Sequence, residues 1–486
     1  MNKQHYMDDL RRWSKRFVSL LPLSRPGVTT PVHLPRLMCT DEQLPAFVRD
    51  CPTTMSLITK FRLLDWEQMA QPVSCQWFGK QPVPLTAYVG AFLVKIDQKL
   101  SSISHLHRFL VQHPALVWAL GFPLYGHTPT RHGFDADTSL PSRQQFSRVL
   151  RELDNACLQA LLTTQVHQLQ SLLPAEFGQT ISLDTSHILA WVMENNPRQY
   201  IKEGRYDKER QPAGDPDCKL GCKRAHNRLV KTPTKEGKSA DTISLTDKEF
   251  YWGYASGAVV TKLPDWGEFV LAEMTDTFDK ADVRFFFPLM EQVERRLGFR
   301  PRFAALDAAF DAFYVYDYFH SDDHEGFAAI ALKLPNAQPR QFDEAGLPLC
   351  DAGLPMPVRK LYTDSTKAIM PHQRTIYACP LLFPEPSGVA CPIAHKQWGK
   401  GGCSVNLPAS HGVRLRHALD RSSETYKSIY RQRTAVERIF SQAKLLGMER
   451  PKLRNQQAIT NLNTMIYLLI NLRALQQILA RLEQTR

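Results

Sequence analysis

Three carboxylates occupy places in this sequence where an acidic side chain is unusual. Asp184 lies inside the apolar segment ISLDTSHIL, and Asp307 directly follows the short apolar segment RFAAL. A charge in an apolar strand is costly unless it is paired or bound to a metal ion. Glu437 lies in the distant segment TYKSIYRQRTAVERIFSQAK, which has helical periodicity. These residues are therefore the first candidates for a catalytic or metal-binding site.

The helix that carries Glu437 combines one acid, two cations and a phenol. At about 100° per residue, Tyr430, Arg433, Glu437 and Lys444 fall on one narrow face. The apolar residues of the adjoining arc are Ile429, Val436, Ile439, Phe440 and Ala443. Ordinary salt bridges between residues on the surface of a helix would explain Arg433 with Glu437 but not the whole polar set. We therefore predict a helix that packs on a core and presents a functional strip beside it.

These four residues match, at every position, the Y-x-x-R-x-x-x-E-x-x-x-x-x-x-K motif of bacterial insertion-sequence DDE transposases, and the chain resembles that family. LDTS at 183–186 resembles the family's strand with the first catalytic aspartate, and LDAAFD at 306–311 resembles its second motif. WGYASG at 252–257 is similar to a further strand motif, with Ala255 where lysine is common. The resemblance covers residues from about 85 to 478.

The resemblance implies an α/β fold with a ribonuclease-H-like core. Asp184, Asp307 and Glu437 would be catalytic and would hold two Mg²⁺ ions, with Mn²⁺ as a substitute, because these cations prefer carboxylate oxygens. Arg433 and Lys444 would bind DNA phosphates, and Tyr430 would help to orient their side chains.

The reaction implied is metal-dependent hydrolysis at the ends of a mobile element, followed by transesterification that joins the 3′-OH to target DNA. The implied partners are double-stranded DNA with terminal inverted repeats, target DNA and a second copy of the chain in a homodimeric synaptic complex.

Alternatives remain for the residues and for the function. Asp311 is the main rival of Asp307 as a ligand, and it could instead cap the next helix. Asp282 also fits a family pattern, although we interpret it as a cap at the start of its own helix. A host nuclease of ribonuclease-H type and a non-catalytic DNA-binding protein derived from a transposase are the alternative functions.

The change of hydrophobic period along the chain predicts four regions. Residues 1–172 form an N-terminal helical DNA-binding region, and residues 173–336 form the first part of the catalytic core. Residues 337–420 are an inserted β or irregular module, and residues 421–486 hold the rest of the core and a last helix at about 455–484. Within these regions, the patterns predict one helix over 142–162, a strand over 180–192 and an exposed basic excursion over 195–245.

Composition favours a nucleic-acid partner. Lys and Arg total 60 against 48 Asp and Glu, which gives a net charge of +12. Such an excess raises the expectation of a polyanionic ligand. The first residues contain no apolar signal segment, and the apolar stretch at 465–478 is broken by Asn471 and Arg473. We therefore expect a cytoplasmic protein that does not enter a membrane. The resemblance further implies association with the bacterial nucleoid.

Cysteines and one tryptophan provide weaker candidates. Cys379, Cys391, His395 and Cys403 have spacings that permit a structural zinc site but match no familiar zinc finger. Cys218, Cys222 and His226 are a second zinc candidate, and buried free thiols are the alternative for both sets. Trp398, between Lys396 and Lys400, is a candidate for stacking on a flipped DNA base, with an ordinary structural role as its alternative.

Overall fold

The computed structural model describes residues 35–69, 83–126, 132–196, 204–233, 239–321, 324–333, 340–365 and 369–484. It shows a mixed α/β protein, with helices on both sides of a mixed sheet. The strands are β1 (Thr180–Leu189), β2 (Lys219–Pro233), β3 (Ser239–Leu263), β4 (Gly267–Thr277), β5 (Phe303–Leu306), β6 (His320–Ser321), β7 (His324–Glu325), β8 (Phe327–Ile330), β9 (Val358–Asp364), β10 (His372–Ala378) and β11 (Ser404–Pro408).

Helices dominate both ends of the described chain. They are α1 (Ala46–Arg49), α2 (Pro52–Phe61), α3 (Leu85–Asp97), α4 (Ile103–Gln112), α5 (Pro114–Leu120), α6 (Ala136–Ser139), α7 (Arg143–Glu152), α8 (Asn155–Leu172), α9 (Phe286–Leu297), α10 (Phe313–Phe319), α11 (His411–Ala418), α12 (Glu424–Tyr430), α13 (Thr434–Leu445) and α14 (Gln456–Gln484). The predicted last helix is confirmed, and α1 and α2 lie where the sequence shows no clear period.

The central sheet mixes strand directions. Strand β1 pairs antiparallel with β3 and parallel with β5, and β5 pairs parallel with β8. Strand β4 pairs antiparallel with the second half of β3 through the short turn between Leu263 and Gly267. Short parallel strands such as β5 and β8 are almost wholly apolar because helices cover both faces.

Both faces of the sheet are packed against helices. One core joins side chains of β1, β3 and β4 to helices α1–α8, α13 and α14. The second core covers the opposite face with α9 and α10. Alternate residues of β3 serve the two cores, as Tyr254 and Ala255 show. The N-terminal helices share this core with α14, so the region predicted to end at residue 172 packs directly on the C-terminal helix. The predicted domain boundaries stay predictions.

Two predicted elements end earlier than the sequence suggests. The single helix expected over 142–162 is two helices, because Asp154 accepts a hydrogen bond from the Ala156 N–H and begins α8 anew. Strand β1 ends at Leu189 rather than 192, since the chain then turns through Met193–Asn195. Asn195 stabilises that turn by donating to the carbonyl oxygens of Ala190 and Trp252.

The basic excursion predicted over 195–245 is wrong over 219–233 and 239–245, where the chain forms strands. Strand β2 and the first half of β3 form a long antiparallel ladder from Lys219 to Pro233. Backbone pairing satisfies the peptide groups of this segment, which a solvated loop would leave to water. The basic residues at 198, 202, 235 and 238 lie outside the described residues.

The predicted inserted module consists of a separate three-stranded sheet and one helix. Strand β10 pairs antiparallel with both β9 and β11, and α11 follows. Within the described ranges, we find no helix that is both long enough and apolar enough to cross a membrane.

Candidate functional site

Asp184 and Asp307 lie side by side on neighbouring parallel strands. Leu183 of β1 is level with Leu306 of β5, so the two following aspartates occupy the same level of the sheet. Adjacent strands are about 4.8 Å apart, which brings the two carboxylates into one site. The structure thus brings together two residues that are 123 positions apart, as the difference between 307 and 184 shows.

The environment of this pair opposes two negative charges. Burial, together with the nearby carboxylate of Asp307, raises the pKa of Asp184 to about 7. Burial also raises the pKa of Asp307, against a hydrogen bond from the Ala309 N–H, and the charge of Asp282 raises it further. Crowded carboxylates share this behaviour because each ionised group disfavours the next. The pair therefore attracts a proton or a cation.

Asp282 is a third carboxylate of this site, and its position corrects the sequence analysis. It was predicted to cap a helix, but Ala281 is the residue before the Asp282–Phe285 turn and no side chain caps it. Instead, the Thr185 hydroxyl donates to Asp282 at 2.6 Å, directly beside Asp184. The only sequence signal for this contact was the family pattern, which does not show which strand Asp282 faces.

Arg433 links the carboxylates to Glu437. Its guanidinium donates to the Glu437 carboxylate at 2.8 Å. Its positive charge also lies close enough to Asp184 and Asp307 to offset part of the rise in the pKa of both. Burial disfavours the charged guanidinium, but Glu437, Tyr430 and Asp184 together raise the pKa of Arg433. Glu437 thus reaches the acidic pair through Arg433, and its own side chain is 47% exposed.

The helix predicted over the motif is interrupted. Between α12 and α13 the chain forms a tighter turn at Arg431–Arg433, which packs against β1 and β5. The single regular helix assumed for the polar face is therefore wrong at this point, because a 3₁₀ turn advances each residue by about 120°. Val436, Ile439, Phe440 and Ala443 are buried as predicted, while Ile429 is only partly buried.

Tyr430 and Lys444 extend the site in opposite directions along this segment. The Tyr430 ring stacks on Tyr426 with centroids 5.5 Å apart, and the Arg433 guanidinium lies 6.0 Å from the Tyr430 ring. Lys444 is exposed on α13, about 10 Å along the axis from Glu437 at 1.5 Å per residue.

Asp311 is held in a different contact. Arg416 makes a two-pronged ion pair with it, at 2.7 Å and 2.5 Å, and its carboxylate is fully buried. Tyr316 and the Lys333 N–H also donate to it. The predicted capping role is wrong, since Ala312 precedes α10 and makes no side-chain cap. The charge of Asp311 is thus already balanced by Arg416, and Asp311 does not belong to the pair formed by Asp184 and Asp307.

The two tryptophans beside predicted DNA contacts have different settings. Trp398 is partly buried in the Trp398–Lys400 turn of the inserted module, where its backbone N–H donates to the His395 carbonyl oxygen. Trp191, which the sequence analysis passed over, is 48% exposed just beyond β1. It lines a cavity of about 400 Å³ with Arg450 and Arg454. A tryptophan immediately after the strand that carries Asp184 was the available signal.

The two zinc candidates differ. Cys218 donates to the Asp215 carbonyl, and Cys222 lies four residues further along extended chain. Such residues are about 13 Å apart in a strand, so the structure does not bring Cys218 and Cys222 together, and the side chain of His226 lies outside the described residues. Cys379, Cys391, His395 and Cys403 line one small cavity together with Cys350. Across the described ranges, no three Asp, Glu, His or Cys side chains already converge on one metal position.

No protein-family model matches the chain, and a search of curated proteins finds no match either. The arrangement itself defines the chemistry available. Oxygen ligands at Asp184 and Asp307 suit a hard divalent cation, and the nearby Arg433 suits a phosphate group.

Proposed function

We propose that this chain is a DNA transposase of the insertion-sequence DDE type. It would cut at element ends by metal-dependent phosphodiester hydrolysis and join the freed 3′-OH to target DNA by transesterification. The observation that carries the proposal is the level pairing of Asp184 and Asp307 on adjacent parallel strands. Arg433, which forms an ion pair with Glu437, lies beside that pair of aspartates.

The strand arrangement supports a ribonuclease-H-like core. In the spatial order β4, β3, β1, β5 and β8, the first three strands are antiparallel and the last two run parallel to β1. This order places the two aspartates in the middle of the sheet. The inserted module then separates β8 from the helical segment that carries Arg433 and Glu437.

The donor set fits Mg²⁺, and Mn²⁺ as its substitute. Asp184 and Asp307 supply carboxylate oxygens in a partly buried site, where burial and the neighbouring carboxylates raise the pKa of both. Glu437, which pairs with Arg433 in this structure, would be the third carboxylate available to hold the metal. When bound, the ions would stabilise charge on the phosphate and lower the pKa of the attacking water.

Arg433, Tyr430 and Lys444 act on the DNA in this proposal. Arg433 binds a phosphate in a forked manner once Glu437 has moved, and Lys444 contributes a point charge further along the strand. Trp398 remains a proposed stacking contact. The N-terminal helices bind the terminal inverted repeats of the element, and two chains form the synaptic complex with target DNA in the bacterial cytoplasm.

The test is cleavage of a supercoiled plasmid that carries the gene with its native flanks. Wild type, Glu437→Ala and the control Glu424→Ala are compared in Mg²⁺, in Mn²⁺ and in EDTA, and cut sites are mapped. Glu424 is an exposed acid one helix earlier that pairs with Lys427, so its removal changes the same charge outside the site. We expect metal-dependent cuts at the borders of the gene from wild type and from Glu424→Ala, and none from Glu437→Ala.

Other outcomes point to other functions. Metal-dependent cuts without any preference for the borders of the gene would favour a host nuclease of ribonuclease-H type. Tight DNA binding without a metal-dependent cut would favour a non-catalytic DNA-binding protein. Cleavage that survives Glu437→Ala would remove Glu437 from the proposed site.

A further inference from the structure

The inserted module has very little apolar core of its own. Across the described residues of the module from 340 to 420, the buried side chains are Pro348, Met356, Thr375, Ala378, Cys379 and Val413. None of them belongs to either of the two hydrophobic cores. Small units that cannot bury enough apolar surface usually need disulfides or a metal ion to hold one conformation. The module therefore needs another source of stability.

Four cysteines meet at one end of its sheet. Cys379 directly follows β10 and Cys403 directly precedes β11, and the neighbouring pair Ala378 and Ser404 is in register. Cys379 and Cys403 are thus opposite each other across the two strands, and both line the same small cavity. Gly402 allows this approach, because a Cβ at that position would lie 2.5 Å from the Cβ of Cys379.

The other two cysteines come from tight turns on either side. The Cys350 carbonyl accepts from the Gly353 N–H at 2.8 Å, and the Cys391 carbonyl accepts from the Ala394 N–H at 3.0 Å. All four cysteines line a single cavity of about 10 Å³. That volume is close to the smallest that holds one water-sized sphere, so it suits a single ion.

His395, at the same cavity, already uses both ring nitrogens. Its Nδ1 accepts from the Gln397 N–H at 3.2 Å, which places the ring proton on Nε2. That nitrogen faces the Asp351 carboxylate at 3.6 Å. The ring therefore has no lone pair left for a metal, and the ligand set with His395 expected from the sequence gives way to one with Cys350.

We propose that Cys350, Cys379, Cys391 and Cys403 bind one structural Zn²⁺ ion that holds the inserted module together. Thiolates are soft ligands that favour zinc over Mg²⁺, and structural zinc sites are closed and tetrahedral. The four sulfur atoms line the cavity without yet converging on one point, so binding draws them inward. Each thiol releases its proton to solvent as its sulfur binds the ion.

The first test is the zinc content of the full-length, untagged chain, purified without chelator and measured by elemental mass spectrometry. We expect one zinc ion per chain in wild type and in Cys157→Ser, whose cysteine lies on α8 outside the module. Cys379→Ser and Cys403→Ser should each lower the zinc content by at least about tenfold. Asp184→Asn and His395→Gln should retain zinc, which separates this site from the carboxylate pair and from a ligand set with His395.

A second test does not depend on the folding of any variant. Zinc is removed from wild type by a chelator and replaced with Co²⁺, and the absorption spectrum should show thiolate-to-cobalt charge transfer and the strong visible bands of a tetrahedral site. Removal of zinc should also open residues 379–403 to protease, and added zinc should restore protection.

Wild type without zinc and without the cobalt spectrum would overturn the proposal. So would a disulfide between Cys379 and Cys403 in the native chain, found by peptide mass spectrometry under non-reducing conditions. Zinc that remains in Cys403→Ser at the wild-type level would assign the ion to another site. None of these readouts requires DNA cleavage, so they stand apart from the transposase proposal.

Discussion

Asp184→Asn should make the metal-free protein more stable at neutral and alkaline pH. The substitution keeps the shape of the side chain and removes its charge. In wild type, burial and the neighbouring Asp307 carboxylate raise the pKa of Asp184 to about 7 from an ordinary value of 3.8. Ionisation of Asp184 therefore disfavours the folded chain, and an asparagine avoids that penalty.

The size and the pH window of the effect follow from the two pKa values. A shift from 3.8 to about 7 corresponds to about 4 kcal/mol at most, at about 1.4 kcal/mol per unit. Between these values the folded chain holds a proton that the unfolded chain has lost, so wild-type stability falls as the pH rises. The advantage of Asp184→Asn should be near zero at about pH 4 and should be complete above about pH 7.

The assay is urea or thermal unfolding of the full chain in EDTA, from pH 4 to pH 8.5. Asp311→Asn is the matched control, because Arg416 holds the pKa of Asp311 below its usual value. The Asp311 carboxylate is fully buried against Arg416, so its loss should destabilise the protein by about 3 kcal/mol at neutral pH. That effect should vanish as the pH falls through the low pKa of Asp311, the opposite sign to Asp184→Asn.

Addition of Mg²⁺ completes the comparison. Wild type should gain stability from the cation, and Asp184→Asn should gain little, because an amide cannot replace a charged ligand. The reasoning is refuted if Asp184→Asn is less stable than wild type at pH 8 in EDTA. A stability difference that does not change with pH would refute it equally.

Three further predictions concern the same site and the sheet behind it. The affinity for Mg²⁺, measured by titration calorimetry, should fall about tenfold for each pH unit below about 7, because the cation must displace the proton of Asp184. An affinity that is constant from pH 5 to pH 7 would contradict the raised pKa of Asp184. Arg433→Ala should slow plasmid cleavage by about a hundredfold, because the guanidinium adjoins the carboxylates. Most of the DNA affinity in a gel-shift assay should be retained. Unchanged cleavage would show that Arg433 takes no part in the cleavage reaction. Gly257→Ala should destabilise the chain by about 2 kcal/mol in thermal unfolding, because the added Cβ would lie 2.5 Å from the Phe285 ring. An unchanged melting temperature would show that Phe285 can move aside at no cost in stability.

Much of the local framework could be predicted from the sequence. Asp184 and Asp307 were expected in or directly after short apolar strands, and both lie there. The buried positions Val436, Ile439 and Phe440 followed from helical spacing. Such patterns are reliable because they depend on neighbours within one or two turns, where backbone geometry sets which side chains share a face.

Other features depended on contacts between distant segments. The hydrogen bond from Thr185 to Asp282 joins residues 97 positions apart. The ladder between β2 and β3 replaced a loop that polar composition alone suggested. Strand pairing satisfies backbone groups whatever the side chains are, so composition is a weak guide to it.

The sequence by itself determined which residue types are available for chemistry: three carboxylates and two cations in the proposed DNA site, and four cysteines in the inserted module. The tertiary structure decided which of them meet. The register of β1 and β5 set Asp184 beside Asp307, and the register of β10 and β11 set Cys379 opposite Cys403. Register is a property of two strands together, fixed by the packing of both faces of a sheet, and no spacing within one segment specifies it.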